Sequence, residues 1–259
     1  WLVGLSQVLG LVSVVLTGVW MGQYRGGFAW DGSAQQFNVH PLCMVLGLVF
    51  LQGDAIVVYR VFHNESKRTI KMLHGFIHML ALVISIIGFV AVFNYHKVAK
   101  IPDMYSLHSW VGMATLVMFF LQVHTHAHTR MVIKTLTPFA SFSSQWVIGL
   151  LFFLFPLASP WLRAWYLPIH VFCGLGLLVM AVGSSLLGIT EKLLFSLPTY
   201  AQFHPEGVLA NVLGLLLVCF GGVVSYVVTK EEYRRPPSPE EESLSVYFKT
   251  LSEGQCPSS

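Results

Sequence analysis

Four histidines stand at matched places in long apolar stretches of this sequence, and their spacing carries most of its chemistry. They are His40 in Phe37-Asn38-Val39-His40-Pro41, His74 in Lys71-Met72-Leu73-His74-Gly75, His108 in Ser106-Leu107-His108-Ser109-Trp110, and His170 in Pro168-Ile169-His170-Val171-Phe172. An ionisable side chain in a membrane span is costly and marks function. Each of the four opens an apolar run. Successive runs cross in opposite directions, so His40 and His108 share one level and His74 and His170 the opposite one. Paired imidazoles at each level are what two bis-histidine haems require, one nitrogen above the iron and one below. A lone histidine at a helix start is more often an interfacial polar residue. Matched depth and alternating sidedness in four of them favour ligation.

Small residues nearby, Gly47, Gly75, Gly112 and Gly174, are expected to let flat macrocycles approach the backbone. His78 lies one helical turn beyond His74, so a His-x3-His zinc site is a second reading. No His-Glu-x-x-His sequence supports a hydrolytic metal, and His78 is expected to support or pack against His74. Asp54 and Glu191, near span ends, are either snorkelling charges or haem-edge partners. Cys43, Cys173 and Cys219 sit in apolar runs and are expected to be packed thiols rather than a disulfide framework.

The elements that must hold these groups are membrane helices. Only 10% of the 259 residues are charged, 55% are hydrophobic and the mean hydropathy is +0.67. A soluble domain carries roughly 25% charged residues, so the partner is the lipid bilayer, and nucleic acid is not expected as one. Runs near 20 residues match the ~30 Å hydrocarbon layer at ~1.5 Å rise per residue. The expected fold is all-α, a polytopic bundle of six transmembrane helices over residues 1–229, four central helices carrying two haem b groups. The first span is expected at Leu2 to Met21, the second at Val39 to Tyr59, the third at Leu73 to Phe93, the fifth at Pro168 to Leu187 and the sixth at Val208 to Val228. Residues 230–259 turn polar and are expected to be a disordered cytosolic tail. The sequence starts at Trp1 rather than Met, so a few preceding residues are expected. The first run lacks the basic flank and small-residue cleavage site of a removed leader.

The fourth span is anomalous. Val111 to Gln122 is apolar, Val123-His124-Thr125-His126-Ala127-His128-Thr129-Arg130 follows, and apolar character returns only at Trp146 to Phe155. Joining Gln122 to Trp146 would give one apolar stretch of 22 residues. Segment 123–145 begins on Val, whose codons start with GT, and ends on Gln, which CAG encodes; these are intron boundary letters. Its His-Thr repeats are what an in-frame CA-rich tract would encode. Residues 123–145 are therefore expected to be an atypical insert, a retained intron or gene-model error, with a histidine-rich metal-binding loop as the functional alternative.

Charge sets the expected orientation. With six spans, Arg60, Lys67, Arg68, Lys71, Arg163, Lys230, Arg234, Arg235 and Lys249, plus Arg130 and Lys134 of the insert, fall on one side. Arg25, Lys97, Lys100 and Lys192 fall on the other. Positive-inside bias then puts both termini in the cytosol.

The segments Phe37 to Pro41, Tyr105 to Trp110 and Pro168 to Phe172 resemble the motifs of the cytochrome b561 family. His40-Pro41-Leu42-Cys43-Met44, Tyr59-Arg60-Val61-Phe62 and Glu206-Gly207-Val208-Leu209-Ala210-Asn211-Val212-Leu213-Gly214 are similar to its chromaffin-granule branch. The likeness covers nearly the whole chain apart from 123–145. It implies a transmembrane ascorbate-dependent oxidoreductase of a secretory vesicle membrane. Cytosolic ascorbate would be the donor and intravesicular monodehydroascorbate the acceptor, through an inner haem on His74 and His170 and an outer haem on His40 and His108. By the same resemblance Arg60, Lys67 and Lys71, joined by Arg163, lie around the inner haem and ascorbate. His96 lies near the outer substrate. Asp103, Met104, Tyr105, Ser106 and Glu191 lie near the outer haem, and Arg235 or Arg234 meets the inner propionates. Ascorbate is an anion at neutral pH, so a cation cluster at a haem edge would attract and hold it. The bland reading of Lys67, Arg68 and Lys71 is the positive-inside signal alone. A ferric reductase using the same haems is the nearest alternative and a histidine-lined metal transporter a distant one. Assembly as a homodimer is left open.

The orientation is testable at the single sequon, Asn64-Glu65-Ser66. It lies in a loop expected in the cytosol, beyond reach of the glycosylation machinery, and should be unmodified. A mobility shift on glycosidase treatment that Asn64→Gln abolishes would reverse the topology.

Overall fold

The computed structural model describes residues 1–62, 65–127 and 160–233, without the side chains of 123–127 and 160–166. Every regular element among them is helical. Helix α1 (Leu2–Val19) continues through a wider π turn at Trp20–Tyr24. The next crossing is pieced together from α2 (Ala34–Phe37), α3 (Val39–Met44), a π-wound stretch at Val45–Leu51 and α4 (Gln52–Val61). Helix α5 covers Lys67–Ala99, α6 Leu107–Ala127, α7 Pro160–Ser196 and α8 Pro205–Thr229. The chain is a multi-pass membrane protein: among the described residues five apolar spans, 2–24, 34–61, 67–99, 167–196 and 205–229, are long enough to cross.

The helices outrun the apolar runs that announce them. The third span was expected from Leu73, but α5 starts at Lys67, where Ser66 Oγ accepts from the Thr69 amide at 3.2 Å. The fifth was expected from Pro168, which lies inside α7 instead. His74 and His170 therefore sit two or more turns into their helices rather than opening them. Hydrogen bonding and capping, not hydropathy, end a helix. The apolar part of α6 is the shorter Leu107–Gln122, and the expected continuation at Trp146 to Phe155 lies outside the described residues, as does most of the insert.

Burial is inverted relative to a water-soluble bundle, as lipid requires. Val8, Leu11 and Val15 face outward from α1, while Ser6, Ser13 and Thr17 are each 1% exposed. Their hydroxyls donate to Val3, Leu9 and Ser13 carbonyls at 2.7–2.8 Å, so no polar atom is stranded. This small-residue face lets α1 pack closely along α8. A Cβ on Gly10 would come within 2.2 Å of Phe50, and one on Gly53 within 2.5 Å of Phe220. Helices α3, α4 and the π stretch pack on α5, and α6 packs on α7. These two pairs form the histidine-bearing core, with α1 and α8 outside it.

The upper end of the bundle gathers residues 25–33, 100–106 and 197–204. Arg25 ion-pairs with Glu206, whose carboxylate also accepts from Trp20 Nε1 at 2.7 Å. Asn38 Nδ2 donates to the Arg25 and Gly27 carbonyls at 2.9 and 2.7 Å. At the lower end Arg60 donates to the Val228 and Lys230 carbonyls.

Helix α6 carries a testable shortfall. Leu107–Gln122 spans ~24 Å at ~1.5 Å per residue, against ~30 Å of hydrocarbon. Deleting residues 123–145 should restore full length and raise both yield and haem content over the 259-residue form. Equal values for the two forms, expressed side by side, would make the segment a tolerated loop.

Candidate haem sites

The four histidines meet in two pairs. The His40 and His108 ring centroids lie 6.1 Å apart with planes at 82°, and those of His74 and His170 lie 6.2 Å apart with planes at 65°. Two imidazoles ligating one metal through nitrogens at about 2 Å hold their centroids roughly 6 Å apart. Both pairs thus have room for one iron between them.

The second nitrogen of three rings is already committed. His40 Nδ1 lies 3.2 Å from the Gly88 carbonyl, His74 Nδ1 2.7 Å from the Ala55 carbonyl and His108 Nδ1 2.8 Å from the Ser184 carbonyl. A carbonyl can only accept, so each ring donates its Nδ1–H and keeps the Nε2 lone pair for a metal. The exchange between α3–α4 and α5 is reciprocal: His40 donates to α5, and His74 on α5 donates to α4.

At the upper pair a cavity of about 380 Å³ opens beside His40 and His108, walled by Met44, Phe89, Gly112, Ala181 and Gly188. A Cβ on Gly112 would lie 3.1 Å from Ser184 Oγ. A Cβ on Gly188 would lie 2.7 Å from His108 Cε1, so only glycine admits that ring. The rim holds His96, Asp103, Met104, Tyr105, Ser106, Glu191 and Lys192. His96 Nδ1 meets Asp103 Oδ1 at 3.0 Å, and the Tyr105 hydroxyl donates to Glu191 Oε1 at 2.8 Å. Burial first, then the Glu191 carboxylate, push the Tyr105 hydroxyl up to about 12, so it remains a donor at neutral pH.

At the lower pair His74 is 7% exposed, with Tyr59 5.3 Å and His78 4.4 Å away between centroids. His78 also packs on Phe119 at 5.4 Å, the supporting place expected of it. No metal-sized cluster of three or more His, Cys, Asp or Glu occurs among the described residues, so the zinc reading has no third ligand there. Arg60, Lys67 and Lys71 lie on α4 and α5 at this end. Arg163 lies on α7 with its side chain outside the described residues, and Arg235 is wholly outside them.

Some expectations change. Gly47 serves helix packing, since a Cβ there would lie 2.7 Å from Ser85 Oγ and 2.9 Å from the Ala81 carbonyl. Gly75 and Gly174, by contrast, have open space within 4 Å of that position, which is compatible with the close approach expected there. Cys219 is exposed on its helix rather than packed, and Cys43 and Cys173 are half-buried. Asp54 accepts from Gln7 Nε2 at 2.6 Å, an anchor to α1 rather than a haem-edge group. Sequence reading missed the carbonyls of Ala55, Gly88 and Ser184, Gly188 under His108, and Lys192 at the rim.

Two facing imidazole pairs across a helical membrane bundle define the class, a membrane-embedded b-type cytochrome. The chain belongs to the eukaryotic cytochrome b561 family, whose model matches residues 39–134 and 125–196. The two matches overlap at 125–134, inside the anomalous segment. Membership in this family implies haem b. The transmembrane ascorbate-dependent reductase CYB561 of pig (Sus scrofa) is 54% identical over 99% of this chain and 93% of its own. The human (Homo sapiens) protein of that name is 52% identical over the same shares. The plasma membrane ascorbate-dependent reductase CYBRD1 of rat (Rattus norvegicus) is 41% identical over 90% of this chain and 75% of its own.

Gly188→Ala should push the His108 ring out of place and lower the haem-to-protein ratio of the purified protein, with helical content intact. A ratio equal to wild type would show that α7 can retreat and that Gly188 does not set the ring.

Proposed function

We propose that this chain is a transmembrane ascorbate-dependent reductase holding two haem b groups, one between His40 and His108 and one between His74 and His170. The observation that carries the reading is the matched geometry of the two imidazole pairs, 6.1 and 6.2 Å, at opposite ends of one bundle. Bound haem supplies the reversible one-electron couple; the protein supplies placement and charge. The named activity of relatives at 54% and 52% identity supports the reading.

The lower end, with both termini, faces the cytosol on the positive-inside argument. There Lys67, Lys71 and Arg163 draw in the ascorbate anion, and Arg60 and Arg235 lie toward the inner haem. The Lys67 and Lys71 ammoniums are compact donors on the first two turns of α5, before His74, suited to holding an anion at contact distance. The upper end faces the vesicle interior. Monodehydroascorbate is received there near His96, within the rim formed by Asp103, Met104, Tyr105, Ser106 and Glu191. The likeness of residues 40–44, 59–62 and 206–214 to the chromaffin-granule branch supports the vesicle membrane. Residues 123–145 are an insert interrupting the fourth span of this machine.

His108→Ala should remove the upper haem and leave the lower one, and His74→Ala should do the reverse. Each purified variant then carries half the wild-type haem per protein, with a distinct remaining absorption band. Loss of both haems from a folded variant, or of neither, would break the pairing.

A further inference from the structure

Among the described residues Lys192 is the lysine that lines the upper cavity, and the nearby carboxylates bond to other groups. Asp103 is engaged by His96, Glu191 by Tyr105, and Glu206 by both Arg25 and Trp20. Among the described residues no carboxylate oxygen lies within 4.0 Å of the Lys192 ammonium. It rests 4.1 Å above the Phe37 ring, whose centroid is 6.3 Å from that of His40. Its charged neighbours Arg25 and Glu206 already neutralise each other. A cation half-buried in a largely apolar cavity, held only by an aromatic face, completes its shell with an anion. An arginine-type fork would fix geometry; a lysine supplies a movable point charge.

We propose that Lys192 is the anion-binding residue of the upper cavity, its ammonium taking a carboxylate or enolate oxygen of a ligand seated beside His40. A soluble acceptor and a haem propionate both offer that oxygen. The inference rests on the haem reading above and extends it to a residue outside the rim expected from sequence.

The test uses the full-length haem-loaded protein in lipid nanodiscs, reduced with dithionite so that ascorbate is not involved. Each chemically reduced haem iron gives one electron to one ferricyanide anion, or in parallel to one hexaammineruthenium(III) cation. Lys192→Met keeps the chain length and the contact with Phe37 while removing charge; Lys192→Arg keeps the charge. If the ligand is a soluble anion, Lys192→Met slows ferricyanide roughly tenfold at low ionic strength, and salt erases the difference. Ruthenium oxidation is unslowed, midpoint potentials are unchanged, and Lys192→Arg restores the rate. The effect must persist in a Lys71→Ala background, which removes a cation of the lower end. If the ligand is a propionate, the upper haem's midpoint potential falls in Lys192→Met, and both oxidants change together. Unchanged rates and potentials in a haem-loaded Lys192→Met protein overturn the proposal. Failure of the wild type to accept electrons from ascorbate would instead count against the function above and leave this comparison standing.

Discussion

An imidazole inside a hydrocarbon layer has two nitrogens and no water to satisfy either. In this bundle the backbone takes one of them. Three Nδ1–H groups donate to carbonyls of Gly88, Ala55 and Ser184, on the helix packed against each histidine. A helix carbonyl normally accepts one intrahelical bond, but its second lone pair is available, so the extra bond does not unwind the accepting helix. The same bond fixes ring orientation, selects the tautomer that presents Nε2 and locks neighbouring helices in register. Sliding α5 along α4 by one turn would break the His40 and His74 bonds together. Helix packing, ligand geometry and tautomer are thus one constraint.

That constraint explains the departures from regular geometry. Span 34–61 must present His40 to α5 near its start and the Ala55 carbonyl to the same helix near its end. The π-wound stretch Val45–Leu51 lies between these two contacts, and a turn with one extra residue rotates the later face relative to the earlier one. Close approach at both contacts is kept by glycine and small residues: Gly47 lies against Ala81 and Ser85, and Gly88 against Cys43 and Met44. Insertion of a side chain at Gly88 would separate the helices where His40 must reach its carbonyl.

The histidines were legible in the sequence because a polar ring in an apolar run costs free energy unless it binds something. Rim residues 103–106 and Glu191 were legible through family likeness, and Tyr105 and Glu191 prove to be bonded across 86 positions. The carbonyl acceptors were not legible, since backbone groups leave no side-chain signal. Gly188 was missed because it supports His108 from another helix; Gly75 and Gly174 were singled out because they neighbour histidines in sequence. Lys192 looked like one of four charges on the less basic side. Only the fold shows its ammonium resting on the Phe37 ring with the nearby carboxylates bonded to other groups. Helix ends were misplaced because apolar length reports the bilayer, whereas caps such as Ser66 and His204 report where backbone amides are satisfied.

The two ends of the bundle handle charge differently. At the upper end charged groups are bonded within the fold: Arg25 pairs with Glu206, His96 contacts Asp103, and Glu191 accepts from Tyr105. At the lower end basic residues outnumber acidic ones, and α8 adds to the requirement for them, because its C-terminal carbonyls carry the negative end of the helix dipole. Arg60 answers that by donating to the Val228 and Lys230 carbonyls. Its guanidinium has five donors in a rigid plane, so the two carbonyls take only part of its bonding capacity. A lysine at position 60 would offer three donors on one freely rotating ammonium and hold the two carbonyls less rigidly. The basic residues of this end therefore do structural work of their own, Arg60 capping α8 while Lys67 and Lys71 occupy the first two turns of α5.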